Sequence, residues 1–198
     1  MRRLNRGSQC HGNRVGIAHR DGEIHEQTDG LCTDVPGLPL MLLGADCPLI
    51  IVFDPQTLAL GLAHAGWRGT VNRIAGELVR TMSREFGARP GDMVAGIAPG
   101  ICQQCYEVGP EVVAEVEQAL PYAQETLVSS HPPRGAKPHP TGLLDLAQAN
   151  RLELMGVGVP NEQIELSGLC TYERTDWFYS HRREGAQTGR HALLAALI

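Results

Sequence analysis

The side chains best suited to chemistry in this sequence are a cysteine and two histidines, each beside a strand-like run of apolar residues. His11 lies in the segment SQCHGN, Cys47 in GADCPLI, and His64 begins the segment HAGWRGT. Thiolate and imidazole bind zinc or copper well, and three protein ligands with an open fourth position are typical of catalytic zinc. The three residues therefore predict a catalytic metal site. The alternative is a structural cysteine with ordinary hydrogen-bonded histidines.

An anion site is predicted just after His64. Gly66 and Gly69 permit a tight turn around Arg68, and a helix that begins near Thr70 would direct free N–H groups at an anion. The Arg68 guanidinium suits bidentate binding of phosphate, and its alternative is a surface ion pair with a carboxylate.

Two later segments contain further reactive or charged side chains. Cys102 and Cys105 form a C-x-x-C pair in a predicted loop, where they are either redox-active or half of a zinc knuckle. No second C-x-x-C completes a structural zinc site. Arg182, Arg183 and Arg190, near the predicted end of a strand, are either phosphate or nucleotide ligands or part of a solvated basic loop.

The composition is that of an ordinary globular protein. The chain has 198 residues, of which 42% are apolar and 20% charged, and this length suffices for one domain with its own core. A net charge of −5 gives no positive footprint for nucleic acid or an anionic membrane. No apolar run is long enough to span a bilayer, and no secretory signal precedes the first histidine. The six cysteines are therefore expected to be reduced or bound to metal, in a cytoplasmic protein.

The predicted elements place the candidate site at strand ends. Apolar runs predict strands at residues 39–45, 48–53 and 58–63. Cys47 then lies at the break between the first two strands, and His64 follows the third.

Periodic apolar residues predict three helices. The first covers residues 70–86, with Thr70 as N-cap and Gly87 as the C-terminal glycine. The second begins at Pro110, and the third covers residues 143–155. The residues predicted to face the core are Val71, Ile74, Ala75, Leu78, Val79, Met82 and Phe86 in the first helix and Val112, Val113, Val116 and Leu120 in the second.

The remaining segments predict a mixed architecture. Further strands are expected at residues 93–98, 163–166 and 177–180, whereas residues 191–198 suit either a strand or a helix. Residues 129–142 contain four prolines and two glycines and predict a long surface loop. Strands and helices do not alternate as βαβ units, which favours a mixed sheet or two packed sheets with helices outside.

Taken together, these segments resemble one family, the laccase-domain or polyphenol-oxidase-type proteins regarded as purine nucleoside phosphorylases. The matches occur in the family's order from about residue 9 to the end, and HAGWRG after an A-D-C segment is nearly diagnostic. The matching segments are Gln9-Cys10-His11-Gly12, Thr28-Asp29-Gly30, Ala45-Asp46-Cys47, residues 64–69, Cys105-Tyr106-Glu107-Val108-Gly109, Leu144-Asp145-Leu146 with Asn150, Cys170-Thr171, Ser180-His181-Arg182-Arg183 and Thr188-Gly189-Arg190.

This resemblance implies a mixed α/β fold in α/β/β/α layers, as a single domain over residues 1–198. It implies a metal site at His11, Cys47 and His64, usually filled by zinc, with copper as the other candidate. The implied reaction joins phosphate to the pentose of adenosine, inosine or methylthioadenosine and releases the free base. The family resemblance also implies deamination of adenosine. The implied partners are purine nucleosides and phosphate, and neither nucleic acid nor a membrane.

The resemblance implies the metal ligands, and the roles of the other site residues are our own expectations. His11, Cys47 and His64 would be the metal ligands and part of the catalytic site, because zinc lowers the pKa of bound water to about 7. Arg68 and Arg182 are the residues that we expect to hold phosphate. Asp46, the remaining catalytic candidate, would act as an acid or base or would support a metal ligand.

The sequence departs from the family pattern in two places. Relatives carry several dozen more residues before the Q-x-H-G segment, whereas Met1 lies ten residues before His11. We expect either that the start codon is misassigned or that the fold lacks N-terminal strands and part of the pocket. His181 stands where relatives usually have tyrosine, which is expected to alter contacts with the substrate.

Three other functions fit parts of the sequence. A cysteine hydrolase would use Cys47 as nucleophile and His64 or His11 as base. A copper-dependent polyphenol oxidase of the multicopper type needs about ten histidines, largely as His-x-His pairs, and this chain has eight histidines and no such pair. The third alternative is an inactive, truncated homologue that binds no metal.

Overall fold

The computed structural model describes residues 3–130 and 141–198. Most of the predicted surface loop at 129–142 lies outside the described residues, and its two ends belong to strands. Within the described part of the chain, no helix is both long enough and apolar enough to cross a membrane.

Thirteen strands and six α-helices make up the described structure. The strands are β1 (Asn5–Gly7), β2 (Val15–Ile17), β3 (Ile24–His25), β4 (Gly30–Thr33), β5 (Leu40–Gly44), β6 (Leu49–Asp54), β7 (Ala59–His64), β8 (Val94–Ile97), β9 (Glu107–Val108), β10 (Leu127–Ser130), β11 (Thr141–Leu144), β12 (Ile164–Leu166) and β13 (His191–Ala195). The helices are α1 (Trp67–Val71), α2 (Ile74–Phe86), α3 (Pro110–Ala119), α4 (Ala123–Thr126), α5 (Leu146–Gly156) and α6 (His181–Glu184). Short 3-10 turns cover Pro90–Asp92, Gln103–Cys105, Asn161–Gln163 and Gly185–Gln187.

These strands form three sheets, which confirms the predicted mixed α/β class. The largest has six strands in the order β12-β8-β6-β7-β4-β2 and mixes parallel with antiparallel pairs. The second has four strands in the order β13-β5-β1-β3. A small antiparallel sheet, β10-β11-β9, packs with α3 in a separate apolar cluster.

Strands β4 and β7 of the six-stranded sheet are buried on both faces, whereas β8 and the outer strand β12 contain exposed residues. In β6, Ile50 and Val52 pack towards α2, whereas Leu49 joins the cluster formed with the four-stranded sheet. In β7, Leu60 and Leu62 face that second cluster, and every residue of the strand is buried. Successive side chains of a strand point to opposite faces, so a fully buried strand reads as a continuous apolar run.

The predicted helix at residues 70–86 is two helices. The break falls at Arg73, which adopts a left-handed conformation with φ of 60°. The side chain of Arg73 donates to the carbonyl of Ala119 at 3.1 Å and lies 3.4 Å from the buried carboxylate of Glu153. These tertiary contacts compensate for a backbone conformation that costs about 1–2 kcal/mol for a residue other than glycine. The predicted end of the helix is confirmed, because Gly87 has φ of 69°.

The N-cap and two further elements differ from their predictions. Thr70 is not an N-cap, because helix α1 begins at Trp67 after Gly66. The predicted helix over residues 143–155 begins only at Leu146, because Leu143 and Leu144 belong to β11 and Asp145 is the N-cap. The predicted strand at 177–180 is wrong: the N–H groups of Trp177 and Phe178 both donate to the carbonyl of Arg174 and close a turn.

The other predicted elements are present with small changes at their ends. The apolar runs at 39–45, 48–53, 58–63, 93–98 and 163–166 contain β5, β6, β7, β8 and β12. The helix predicted at Pro110 is α3, and its four predicted core residues are buried. The segment that suited either a strand or a helix contains strand β13, which pairs antiparallel with β5.

Candidate functional site

The structure brings His11, Cys47 and His64 together. One ligand atom from each lies within 4.8 Å of the other two. Antiparallel pairing of β6 with β7 sets Leu49 opposite His64, so that Cys47, two residues earlier, lies beside the histidine. The N–H of Ala65 donates to the carbonyl of Pro48 at 3.0 Å and continues this pairing beyond the strands.

The orientation of His64 is fixed by a residue to which sequence reasoning assigned no role. His64 Nδ1 lies 2.8 Å from Oδ1 of Asp29, a fully buried carboxylate. Burial alone would raise the pKa of Asp29, but hydrogen bonds from His64, Cys10 and Gly12 hold this pKa well below its usual range. Because the carboxylate accepts, Nδ1 carries the proton and Nε2 remains free to bind a metal.

The same carboxylate shapes the backbone around His11. The N–H groups of Cys10, His11 and Gly12 donate to Asp29 at 2.9, 3.0 and 2.9 Å. His11 itself has φ of 64°, a conformation that costs free energy for any residue other than glycine. Three hydrogen bonds to one buried anion hold this turn and aim the exposed His11 ring at Cys47.

The electrostatics of the three residues favour a deprotonated thiol. Burial raises the pKa of Cys47, but hydrogen bonds from His11 and His64 lower it to about 7. Burial lowers the pKa of His64, whereas Asp29 and Cys47 raise it to about 9. A thiol that loses its proton near neutral pH is suited to bind a cation or to act as a nucleophile.

The residues present fit a zinc ion or a similar cation. Two nitrogen ligands and one sulfur ligand converge on one point, which is the donor set of three-ligand zinc sites. Gly66 leaves the space that such a site needs. A Cβ atom at this position would lie 2.9 Å from Cys47 Sγ and 3.0 Å from Cδ2 of His11.

The site opens into a cavity of about 600 Å³. The six residues predicted to form the site all line this cavity. Other residues of its wall are Trp67, Tyr106, His181 and Arg190. Arg68 lies 4.4 Å from the ring centre of Trp67, and Arg182 lies 5.0 Å from that of Tyr106. Arg183 instead donates to the carbonyl of Tyr172 at 2.7 Å and does not line the cavity.

Asp46 joins two distant loops to the wall of the cavity. Its Oδ1 accepts from the hydroxyl of Thr171 at 2.7 Å, and its Oδ2 accepts from the N–H of Arg182 at 2.6 Å. The carboxylate is buried, and the residue has φ of 78°. Both oxygens are therefore occupied by donors from the later part of the chain.

The helix expected to begin near Thr70 begins at Trp67, so the N–H of Thr70 is not one of its free donors. Thr70 lies inside α1, and its N–H donates to the carbonyl of Gly66 at 2.8 Å. Its hydroxyl is buried and accepts from the Asn150 side chain at 2.9 Å. Arg68, which is exposed on the first turn of α1, is the cationic group that this segment offers to the cavity.

A second group of ligating side chains lies near the first. Cys102, Cys105, Cys170 and Glu173 place one ligand atom each within 4.8 Å of the others. Burial raises the pKa of Cys170, but N–H groups of Cys102, Glu173 and Tyr172 and the thiol of Cys102 lower it, with a net decrease. Sequence reasoning noted the C-x-x-C pair and missed the other two residues, because 65 residues separate Cys105 from Cys170 (170 − 105).

The fold and the site define a class of mixed α/β proteins with packed sheets and a cysteine–histidine site that can bind a metal ion. The family model described as multi-copper polyphenol oxidoreductase laccase matches residues 1–198, and the chain belongs to this family. The resemblance found in the sequence is thus confirmed.

Two proteins of similar sequence carry the names of enzymes that act on purine nucleosides. The chain is 39% identical over 191 residues to a protein of Bacillus subtilis named purine nucleoside phosphorylase YlmD, covering 92% of this chain and 66% of that protein. It is also 39% identical over 165 residues to a protein of an unknown prokaryotic organism named adenosine deaminase RL5, covering 83% and 60%. The chain therefore spans less than two thirds of these relatives.

Among solved structures, the hypothetical protein YfiH of Bacillus licheniformis superimposes with a TM-score of 0.90 at 33% sequence identity. The match covers 98% of this chain and 74% of that structure. The arrangement of sheets and helices described above is thus that of YfiH.

Proposed function

We propose that this protein is a zinc-dependent purine nucleoside phosphorylase that also deaminates adenosine. The observation that carries the proposal is the shared cavity, in which the cysteine–histidine site faces arginines and aromatic rings. Guanidinium groups suit a phosphate, and aromatic faces suit a planar base. The names of the relatives support the same reaction.

His11, Cys47 and His64 are the residues that would hold the zinc ion, with Asp29 keeping His64 in the tautomer that leaves Nε2 free. Zinc in a site with three protein ligands acts as a Lewis acid and lowers the pKa of bound water to about 7. The histidines and the cysteine line the cavity, so a substrate that enters it would contact the site.

The remaining residues position the reactants. Arg68 and Arg182 bind phosphate, whose oxygen forms a bond to C1′ of the pentose while the bond from C1′ to the purine nitrogen breaks. Tyr106 and Trp67 line the same cavity beside these arginines and contribute apolar ring surface where the base would bind. Asp46 anchors the backbone of Arg182 and the hydroxyl of Thr171, and so acts as a positioning residue.

The test is turnover of adenosine by zinc-loaded protein, with and without phosphate, with the products separated by chromatography. We expect adenine and ribose 1-phosphate only when phosphate is present, and inosine with ammonia in either condition. Chelation of zinc and the His64→Ala substitution should abolish both activities. Normal phosphorolysis by His64→Ala protein, or no turnover by protein with zinc bound, would overturn the proposal.

A second candidate is a hydrolase in which Cys47 is the nucleophile. The observation that favours it is the position of the Cys47 thiol between the imidazoles of His11 and His64. Alkylation of Cys47 in metal-free protein separates the two candidates. A hydrolase is active before alkylation and inactive after it, whereas the zinc enzyme is already inactive before the reagent is added.

The multicopper oxidase alternative has less support from the ligands. Within residues 3–130 and 141–198, two groups of side chains have ligand atoms close enough to share a metal, and one of them contains histidine. Multicopper chemistry needs several histidine-rich sites. Oxidation of a phenol by copper-loaded but not zinc-loaded protein would favour this alternative.

A further inference from the structure

The cluster of Cys102, Cys105, Cys170 and Glu173 has no part in the proposed reaction. We propose that it is a second metal site, which binds one zinc ion and holds together two loops behind the cavity. This proposal does not depend on the activity proposed above, because it concerns different ligands and can be tested by metal binding alone.

The number and type of ligands fit a closed structural site. Three thiols and one carboxylate place their ligand atoms within 4.8 Å of one another. In a tetrahedral zinc site the sulfur atoms lie about 2.3 Å from the metal and therefore about 3.8 Å apart. The cluster thus needs to contract by about 1 Å at most to reach this geometry, which is within the reach of side-chain rotation.

The backbone brings the four ligands together in two pairs. Cys102 and Cys105 bracket a 3-10 turn, and the N–H of Cys105 donates to the carbonyl of Cys102 at 3.1 Å. Cys170 is joined to this loop by a bridge to Gly100 and by the N–H of Cys102, which lies 3.3 Å from Cys170 Sγ. Glu173 then reaches the thiol of Cys105, 3.7 Å from Oε1.

The number of ligands and one hydrogen bond favour a metal over a disulfide. A disulfide would use two sulfur atoms and leave the third thiol and the carboxylate of Glu173 without a role. The N–H of Cys102 points at a sulfur atom, and backbone N–H groups of this kind stabilise the thiolate form that zinc binds. All six cysteines, including these three, are present as free thiols.

The position of the cluster gives the metal a structural role. Cys170 is followed by Thr171, whose hydroxyl donates to Asp46 beside Cys47. A zinc ion that ties residues 170–173 to residues 102–105 would therefore hold Thr171 and Asp46 in place. We expect loss of this zinc to loosen the wall of the cavity without removing a ligand of the first site.

The experiment is to measure zinc bound per chain, by elemental analysis of dialysed protein, in five proteins. Wild-type protein and the control Cys32→Ser, a buried thiol outside both groups, should bind about two zinc ions per chain, one at each site. Cys102→Ser/Cys105→Ser and Cys47→Ser should each bind about one. The exposed Glu173→Gln change removes one proposed ligand and should keep the fold while lowering the amount of zinc that this site retains after dialysis.

Cobalt substitution identifies the site that is lost. Cobalt bound by three thiolates absorbs strongly through sulfur-to-metal charge transfer, whereas the first site offers one thiolate. We expect the strong band in Cys47→Ser protein and its absence in Cys102→Ser/Cys105→Ser protein. Equal zinc content in wild-type and Cys102→Ser/Cys105→Ser protein would overturn the proposal.

The two proposals fail in different ways. If only the cysteine cluster binds zinc, wild-type and Cys47→Ser proteins bind the same amount, and the zinc-dependent function is wrong while the second site stands. If only the first site binds zinc, Cys47→Ser protein binds none, and the second site is wrong while the proposed function stands.

Discussion

The Nδ1 atom of His64 lies 2.8 Å from Oδ1 of Asp29, and this hydrogen bond fixes the ring nitrogen that faces Cys47. The carboxylate also accepts three backbone N–H groups from residues 10–12, so the same residue orients His64 and the turn that carries His11. Carboxylate–histidine pairs of this kind orient metal ligands in many zinc sites. Asp29 is therefore a positioning residue for two of the three proposed ligands.

The first prediction concerns this carboxylate. Asp29→Asn replaces one acceptor oxygen by an NH₂ group that faces N–H donors. We expect zinc affinity at the first site to fall by about 10–100-fold, and the free energy of unfolding to fall by about 1–3 kcal/mol because donors lose their partner. Competition with a chelating dye and urea denaturation measure the two effects.

A matched control for this change is Asp54→Asn. Asp54 is equally buried and accepts from the N–H of Gln56 and the hydroxyl of Thr57, outside the candidate site. Its substitution should reduce stability and leave zinc affinity unchanged. Equal loss of zinc affinity in both variants would show that Asp29 acts only through stability.

The second prediction separates a positioning role from an acid–base role for Asp46. In Asp46→Asn protein, the amide oxygen can still accept from the N–H of Arg182, and the amide NH₂ can donate to the hydroxyl of Thr171. We therefore expect kcat to change far less than the about 10²–10⁴-fold that loss of a general acid or base costs. Asp46→Ala removes both contacts and should raise the KM for phosphate. A collapse of kcat in Asp46→Asn would assign acid–base catalysis to this residue.

The third prediction concerns phosphate binding by Arg68. Removal of its guanidinium in Arg68→Ala should raise the KM for phosphate by about 10–100-fold, the range that corresponds to a lost hydrogen bond to a charged group. The KM for adenosine should change little. Arg80→Ala is the control, because Arg80 is exposed on α2 and pairs with Glu77 at 3.2 Å. Unchanged phosphate kinetics in Arg68→Ala would exclude this residue from the phosphate site.

The fourth prediction tests the packing of β7 on α2. A Cβ atom at Gly61 would lie 2.7 Å from Sδ of Met82 and 2.8 Å from Cδ1 of Leu78. Gly61→Ala should therefore lower the free energy of unfolding by about 1–3 kcal/mol through overpacking. At Gly91 a Cβ atom meets nothing within 4 Å, so Gly91→Ala should leave stability nearly unchanged. Thermal or urea denaturation compares the two variants.

Strands and helices that depend on a local pattern of apolar residues could be predicted from the sequence. Apolar runs located the strands around Cys47, and their pairing explains how Cys47 and His64 meet. Helix α3 was predicted from Pro110 and the spacing of its valines. By contrast, the break at Arg73 could not be predicted, because the apolar period continues across it and the cause is a contact with Glu153, 80 residues away.

Features formed by residues far apart in the sequence could not be predicted, because no local pattern of residues indicates which distant side chains come into contact. Asp29 was recognised within Thr28-Asp29-Gly30, but a buried carboxylate can be assigned to a histidine only when the strands have been placed. Cys170 and Glu173 complete a group with Cys102 across the fold and share no short motif with it. The aromatic run near Trp177 has strand propensity, yet Arg174 stacks on that ring at 4.0 Å and the backbone turns.

The two halves of the cavity come from different parts of the chain, and this affects the order in which they assemble. The proposed ligands of the first zinc site all lie between residues 11 and 64, whereas Asp46 reaches Thr171 and Arg182 across 125 and 136 residues. Contacts between distant residues close long loops and slow the folding steps that form them. We therefore expect a folding intermediate that already binds a metal ion but does not yet bind phosphate. In each newly folded molecule, metal binding would then precede substrate binding.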